Sequence, residues 1–212
     1  MTLAERIARL YAGKYSTASK EFALPEEVDI VMKATHGATC NRLAHGSEAV
    51  AKEVGRLAKI YHPARVFFST YSGNPVSANE SGLTRNELPG AVDVGSIPTT
   101  SAEAIALARW LEENWISGLR GIVIVTDEFK SRRTRDIYQM FFPGTEIHVV
   151  ALPIAVTYDP ESPILNFRSM NRAIIWETLI PMVPFWIMTH TGEPGKLLME
   201  WLSDRVSQAP AA

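Results

Sequence analysis

Residues 121–135, GIVIVTDEFKSRRTR, decide the fold. An apolar, β-branched run stops abruptly at Thr126-Asp127 and gives way within a few residues to a basic helix start. That pattern is a strand delivering polar side chains to a sheet edge and passing directly into a helix. In an open α/β sheet the crevice beyond the carboxyl ends of the strands holds ligands, so Thr126, Asp127, Lys130 and Arg133 are the first candidates for a binding site.

Four further short apolar runs, at residues 28–34, 65–70, 92–96 and 146–152, are separated by amphipathic stretches. Strand and helix alternating in this way predict βαβ units and a parallel sheet. Val50, Val54, Leu57 and Tyr61 form an inward helical stripe, with Ser47 as N-cap and Pro63 just beyond the end. Ala104, Leu107, Ala108, Leu111 and Trp115 form another, opened by a Thr100–Glu103 capping box. A weaker helix is expected over 79–88, and a good one over 130–142 that ends at the Pro143-Gly144 turn. Beyond residue 152 the connections become proline-rich, and helices are expected over 169–180 and 195–206. The predicted organisation is an α/β core with an N-terminal helix over 1–152, and a helical C-terminal extension packed on it over 153–212.

Composition narrows the function classes. With 21 basic and 23 acidic residues and a net charge of −2, the chain lacks the basic footprint expected for nucleic acid or an anionic membrane. The single cysteine, Cys40, cannot form an intramolecular disulfide and suits a reducing compartment. Residues 1–15, MTLAERIARLYAGKY, carry charges where a signal peptide would be apolar, and read as a helix with a Thr2–Glu5 capping box. The longest apolar stretch, 173–188, is interrupted by Glu177, Pro181 and Pro184, so no membrane span is expected. A soluble, cytoplasmic protein is the expectation.

Helical geometry sorts the arginines. If Ile137, Met140 and Phe141 face the sheet, Arg133 stands one turn before Ile137 and is directed at the cleft, whereas Arg132, Asp136 and Gln139 fall toward solvent. A cation in a first helical turn opposes the helix dipole by roughly 0.3–1 kcal/mol, which an anion nearby would offset. Arg133 could equally pair with Asp127 or Glu103. Glu103, one turn before Leu107, has the same geometry; it reads as half of the capping box, and this is compatible with a carboxylate that orients Arg133 or serves as an acid/base group.

Two loops carry further chemistry. THGATCNRLAHG, residues 35–46, gathers His36, Cys40, Asn41, Arg42 and His45, and reads as a flexible cover over the cleft hinged at Gly37 and Gly46. Its spacing matches no established zinc pattern and no sharp-turn nucleophile, so neither a metal nor a Cys–His pair is expected. STYSGNPVSANE, residues 69–80, offers Ser69, Thr70, Ser72, Gly73 and Asn74 as hydroxyl or backbone contacts to a phosphate or carboxylate. No GxGxxG or GxxxxGK[ST] lies at a strand-to-helix junction, and GxSxG is absent.

Residues 90–155 resemble the YdcF/SanA/ElyC-like bacterial domain family, whose members carry an NTxEN-like helix start and a VTSxYHxxRA strand–helix segment. Ser101 and Glu103 match the Thr and Glu of the first motif; Val125, Thr126, Phe129 and Arg133 match the second. Lys130 stands in place of the family's His, Asp127 in place of its Ser, and Ala104 in place of its Asn. The resemblance implies a Rossmann-like three-layer sandwich around a mostly parallel five-stranded sheet, with a helical C-terminal extension. It also implies a link to cell-envelope metabolism and S-adenosylmethionine as a candidate ligand. Lys130 as a fixed positive charge, with Arg133, suits a small anionic or nucleotide-like molecule held by Glu103, Thr126, Asp127, His36 and Ser72 as well.

A different reading takes the fold as retained and the chemistry as lost, leaving a non-catalytic interaction or regulatory protein. The aromatic tail, with Trp176, Phe185, Trp186 and Trp201, would then serve a partner or a homo-oligomer.

Overall fold

The computed structural model describes residues 27–72, 79–164, 168, 188 and 190–208. The predicted N-terminal helix, the Gly73-Asn74 turn, the helix over 169–180 and the aromatic residues Trp176, Phe185 and Trp186 lie outside these.

The five expected strands form one sheet: β1 (Ile30–Lys33), β2 (Arg65–Tyr71), β3 (Val92–Ile97), β4 (Gly121–Asp127) and β5 (Glu146–Leu152). Their order is β3-β2-β1-β4-β5, and every pairing is parallel. Helices α1 (His45–Tyr61), α2 (Glu80–Glu87), α3 (Thr100–Glu113) and α4 (Ser131–Phe141) make the four crossovers. A short helix α5 (Ile154–Thr157) and a longer α6 (Glu193–Gln208) follow the last strand. This is a Rossmann-like α/β sandwich.

Side-chain alternation along the strands builds a core on each face. Ile30, Met32, Phe67, Ile122, Ile124 and Ile147 pack with Leu107 of α3 and with Ile137 and Tyr138 of α4. Val31, Val123 and Val125 face the other way and pack with Val50, Val54 and Leu57 of α1. Met199 of α6 is buried in the first of these cores. The first two crossovers and the next two therefore cover opposite faces, and the chain changes direction between β1 and β4. That switch point is where a parallel sheet opens a crevice at its carboxyl edge.

Four local expectations need correction. Trp115 is not part of the inward stripe: α3 ends at Glu113, and the indole beyond it is exposed. α1 begins at His45 with Ala44 at the N-cap, so Ser47 lies inside the helix, where its hydroxyl is taken by Glu80. α3 is capped by Thr99, whose hydroxyl accepts from Ala102 N–H at 3.2 Å, rather than by Thr100; Glu103 is thereby released from the capping box. Gly46 is no hinge: it sits in α1, where an added Cβ would come within 2.9 Å of the Thr157 carbonyl oxygen and 3.0 Å of the His36 ring. The segment containing it is tied down rather than draped over the cleft. Ala38 bridges Leu43, both are buried, and Arg42 binds Asp159 at 2.9 Å.

Near the carboxyl edge the β2–β3 register shifts between Phe68 and Thr70. Gly95, at φ +110°, takes up this irregularity in β3, a conformation that a side chain would strain. The strand then ends in Ile97 and Pro98, which form part of the wall described next.

Candidate functional site at the carboxyl edge of the sheet

The site is organised by two buried carboxylates, one on each face of the sheet, that grip the turn after β1. Glu80, in the first turn of α2, accepts from Thr35 Oγ1 (2.8 and 3.0 Å), Ser47 Oγ (2.8 Å), the Tyr71 N–H (2.7 Å) and Lys33 Nζ (3.3 Å). Lys33 is wholly buried at the end of an otherwise apolar strand, a position that a charge occupies only with a partner. Glu103, in the first turn of α3, accepts from the Thr35 N–H at 3.3 Å and from Ser69 Oγ. Thr35 is thus held by its hydroxyl to one crossover and by its backbone to the next.

Above Thr35 lies a hollow of about 240 Å³. Ala34 and Thr35 from the end of β1, Tyr71 from β2 and Ile97-Pro98 from β3 line it. Thr99, Thr100 and Glu103 of the α3 start, Lys130 and Arg133 of the α4 start, and Ile164 complete the wall. The cations that open the fourth crossover and the carboxylate of the third converge here, although they stand 27 and 30 positions apart in sequence. Arg133 reaches the hollow because Ser131, Thr134, Ile137 and Tyr138 are the buried positions of α4, while Gln139 is exposed. Arg132 and Arg135 instead pair with Asp136.

Burial pushes the Glu103 carboxyl up to about 7, against the opposing pull of the Ser69 hydroxyl, the charges of Lys130 and Lys33, and the Thr35 amide. The Tyr138 phenol behind it is raised well above its ordinary value, by burial first and then by the Glu103 charge. A carboxyl that gains and loses its proton near neutrality, beside a cation and an opening, is chemically equipped to transfer a proton or to hold one against a bound group.

Of the other sequence candidates, Thr126, Asp127 and His36 are buried and do not line the hollow. Asp127 accepts from the Phe129 N–H (2.9 Å) and the Lys130 N–H (3.1 Å), which fixes the entry to α4, and its other oxygen accepts from His36 Nε2 at 3.1 Å. The His36 and Lys130 partners hold the Asp127 carboxyl below its ordinary value in spite of burial. Burial, followed by the Lys130 charge, lowers His36. The pair props up the base of the site: Lys130 Nζ lies 4.0 Å from Asp127. Ser72 is exposed, with its N–H on the Ile97 carbonyl. His45 and Cys40 are exposed, whereas His36 is buried.

Sequence reasoning missed Glu80, Lys33 and Thr99. A signal for the first two was present: a lysine closing a strand that reads IVMK, and a helix, ESGLTRNE, too polar to be held by apolar packing alone. In comparisons with protein-family models, curated proteins and solved structures, nothing matches this chain. Among the described residues no helix is long and apolar enough to cross a membrane.

Proposed function

We propose that this chain binds a small anionic or nucleotide-like molecule at the carboxyl edge of its sheet, with Lys130 and Arg133 as anion contacts and Glu103 as the proton-transfer group. The observation that carries the reading is the convergence of these three side chains and the first turn of α3 on one hollow at the switch point. Two cations and a helix N-terminus favour negative charge. The resemblance of residues 90–155 to the YdcF/SanA/ElyC-like family agrees with this reading, and makes the chain a divergent member in which Lys130 replaces a histidine. On that footing S-adenosylmethionine joins nucleotides and sugar phosphates as a candidate ligand, and cell-envelope metabolism is the setting.

Thermal denaturation against a panel of nucleotides, sugar phosphates and S-adenosylmethionine tests the reading. A ligand at 100 times its Kd stabilises the native state by about 2.7 kcal/mol. For a chain of this size that raises Tm by roughly 5–10 °C. Arg133→Ala and Lys130→Ala should each remove most of the shift. A panel that leaves Tm unmoved, or variants stabilised as strongly as the parent, would refute the site.

A further inference from the structure

The hollow contains a feature that simple anion binding does not call for: a carboxyl group among its walls. At about 240 Å³ it is smaller than the roughly 300–1,000 Å³ of pockets that enclose whole small molecules. A hollow of that size suits a terminal group rather than a whole nucleotide-sized molecule. Anything seated there is in the company of Glu103 as well as of Lys130 and Arg133. An ionised Glu103 would repel an anion at that range, whereas a protonated Glu103 would not.

Resting on the anion-site reading above, we propose that the hollow seats one tetrahedral dianionic group, of the phosphomonoester type, and that it does so only with a proton held on Glu103, so that anion and proton bind together. Three observations support the coupling. The Ser69 hydroxyl and the Thr35 N–H both donate to Oε1 of Glu103, so a proton on this carboxyl sits on Oε2, beside the Tyr138 phenol. Glu103 is only 2% exposed, so little water screens its carboxyl from an anion seated in the hollow that it lines. Its proton is also exchanged within the physiological range, about 7. The tetrahedral preference follows from the donors: a guanidinium and an ammonium from α4 and the Thr99-Thr100 turn of α3 line the hollow from two elements. A group with oxygens directed to several sides meets them better than a planar carboxylate does.

The charged and titratable groups facing Glu103 are Lys130, Arg133 and Tyr138 from α4 and Lys33 from β1, with Glu80 of α2 linked through Thr35. Tyr138 stays protonated, because burial raises it. His36, beside Lys130, is lowered and stays neutral above its ordinary 6.5. Between pH 7 and 9 neither of them imitates the expected behaviour of Glu103.

Sulfate is the probe, because it is a tetrahedral dianion that does not itself titrate. Calorimetric titration of the full chain with sulfate at constant ionic strength should give an affinity that is nearly level below pH 7 and falls about tenfold per unit above it. Glu103→Gln should bind sulfate with no such fall. Ser69→Ala, which removes a hydrogen bond to the ionised form, should move the break to higher pH, and it carries the test if the glutamine variant does not fold. Acetate should bind at least tenfold more weakly than sulfate at pH 6. Sulfate binding that is lost in Arg133→Ala but level from pH 6 to 9 would overturn the coupling and leave the anion site standing. Acetate binding as tightly as sulfate would overturn the tetrahedral assignment. Absence of sulfate binding at every pH would remove both this inference and the site beneath it.

Discussion

Glu103 shows how one position can be read correctly by its place and incorrectly by its reason. Its stand one turn before Leu107 put it on the inward face of α3. Its supposed capping role did not survive, because Thr99 supplies the cap and leaves the carboxyl to Ser69 and Thr35. Which of two adjacent threonines caps a helix depends on a single backbone turn, and residue pattern alone does not separate them. The consequence for stability has a definite sign. Unfolded, Glu103 loses its proton near its ordinary 4.5; folded, it keeps the proton to about 7. Between those values the folded state binds more protons, so this group's contribution to stability falls as pH rises, by up to roughly 1.4 kcal/mol per unit, and levels off above about 7. His36 acts in the opposite direction: its lowered value makes the unfolded state the better proton binder below 6.5. The Glu103 contribution is therefore isolated as a difference. Urea denaturation at pH 5, 6, 7 and 8 should show Glu103→Gln gaining stability relative to the parent up to about pH 7 and holding that gain at pH 8. Parallel stability curves would show that the carboxyl ionises normally in the fold.

At the scale of elements, the strands were legible as short unbroken apolar runs, which in β1 and β4 are buried throughout, and the long helices as apolar stripes of period 3.6 that face the sheet. What sequence could not supply was the partner of each polar residue. Ser47 looks like an N-cap by its place before an apolar stripe, yet the chain enters α1 two residues earlier and the hydroxyl serves Glu80, 33 positions away. Gly46 is a similar case. A glycine at the mouth of a loop suggests a hinge, and in an ordinary helix Gly→Ala stabilises by roughly 0.5–1 kcal/mol. Here a methyl group would press on the Thr157 carbonyl oxygen at 2.9 Å and on the buried His36 ring at 3.0 Å. Gly46→Ala should therefore destabilise the protein, by about 1–3 kcal/mol, as overpacking does. The strain should reach the His36–Asp127 contact that supports the start of α4. Chemical denaturation gives the sign directly, and a stabilised variant would mean that α1 has room to shift away from α5.

For the whole molecule, the alternation of strands and helices gave the class of fold, but not the order β3-β2-β1-β4-β5, because strand neighbours are chosen by packing between distant segments. That order makes the site. Only when β4 lies beside β1, on the side away from β2, do the starts of α3 and α4 come to flank the turn at Thr35. The same order grades the stability of the sheet. β1 and β4 have strand neighbours on both sides, every residue of both is buried, and apolar cores cover both faces. Among the described residues β3 pairs only with β2, its Gly95 and Ser96 are exposed, and its register is broken. Opening β3 separates one ladder, whereas opening β4 disrupts two ladders and both cores, so exchange in β4 should require nearly global unfolding. Native-state hydrogen exchange should find the amides of β4 and β1 the slowest and those of β3 markedly faster. Protection in β3 equal to that in β4 would show that the edge is covered in solution, and the hollow beside Ile97 and Pro98 would then be walled by more than the residues that line it here.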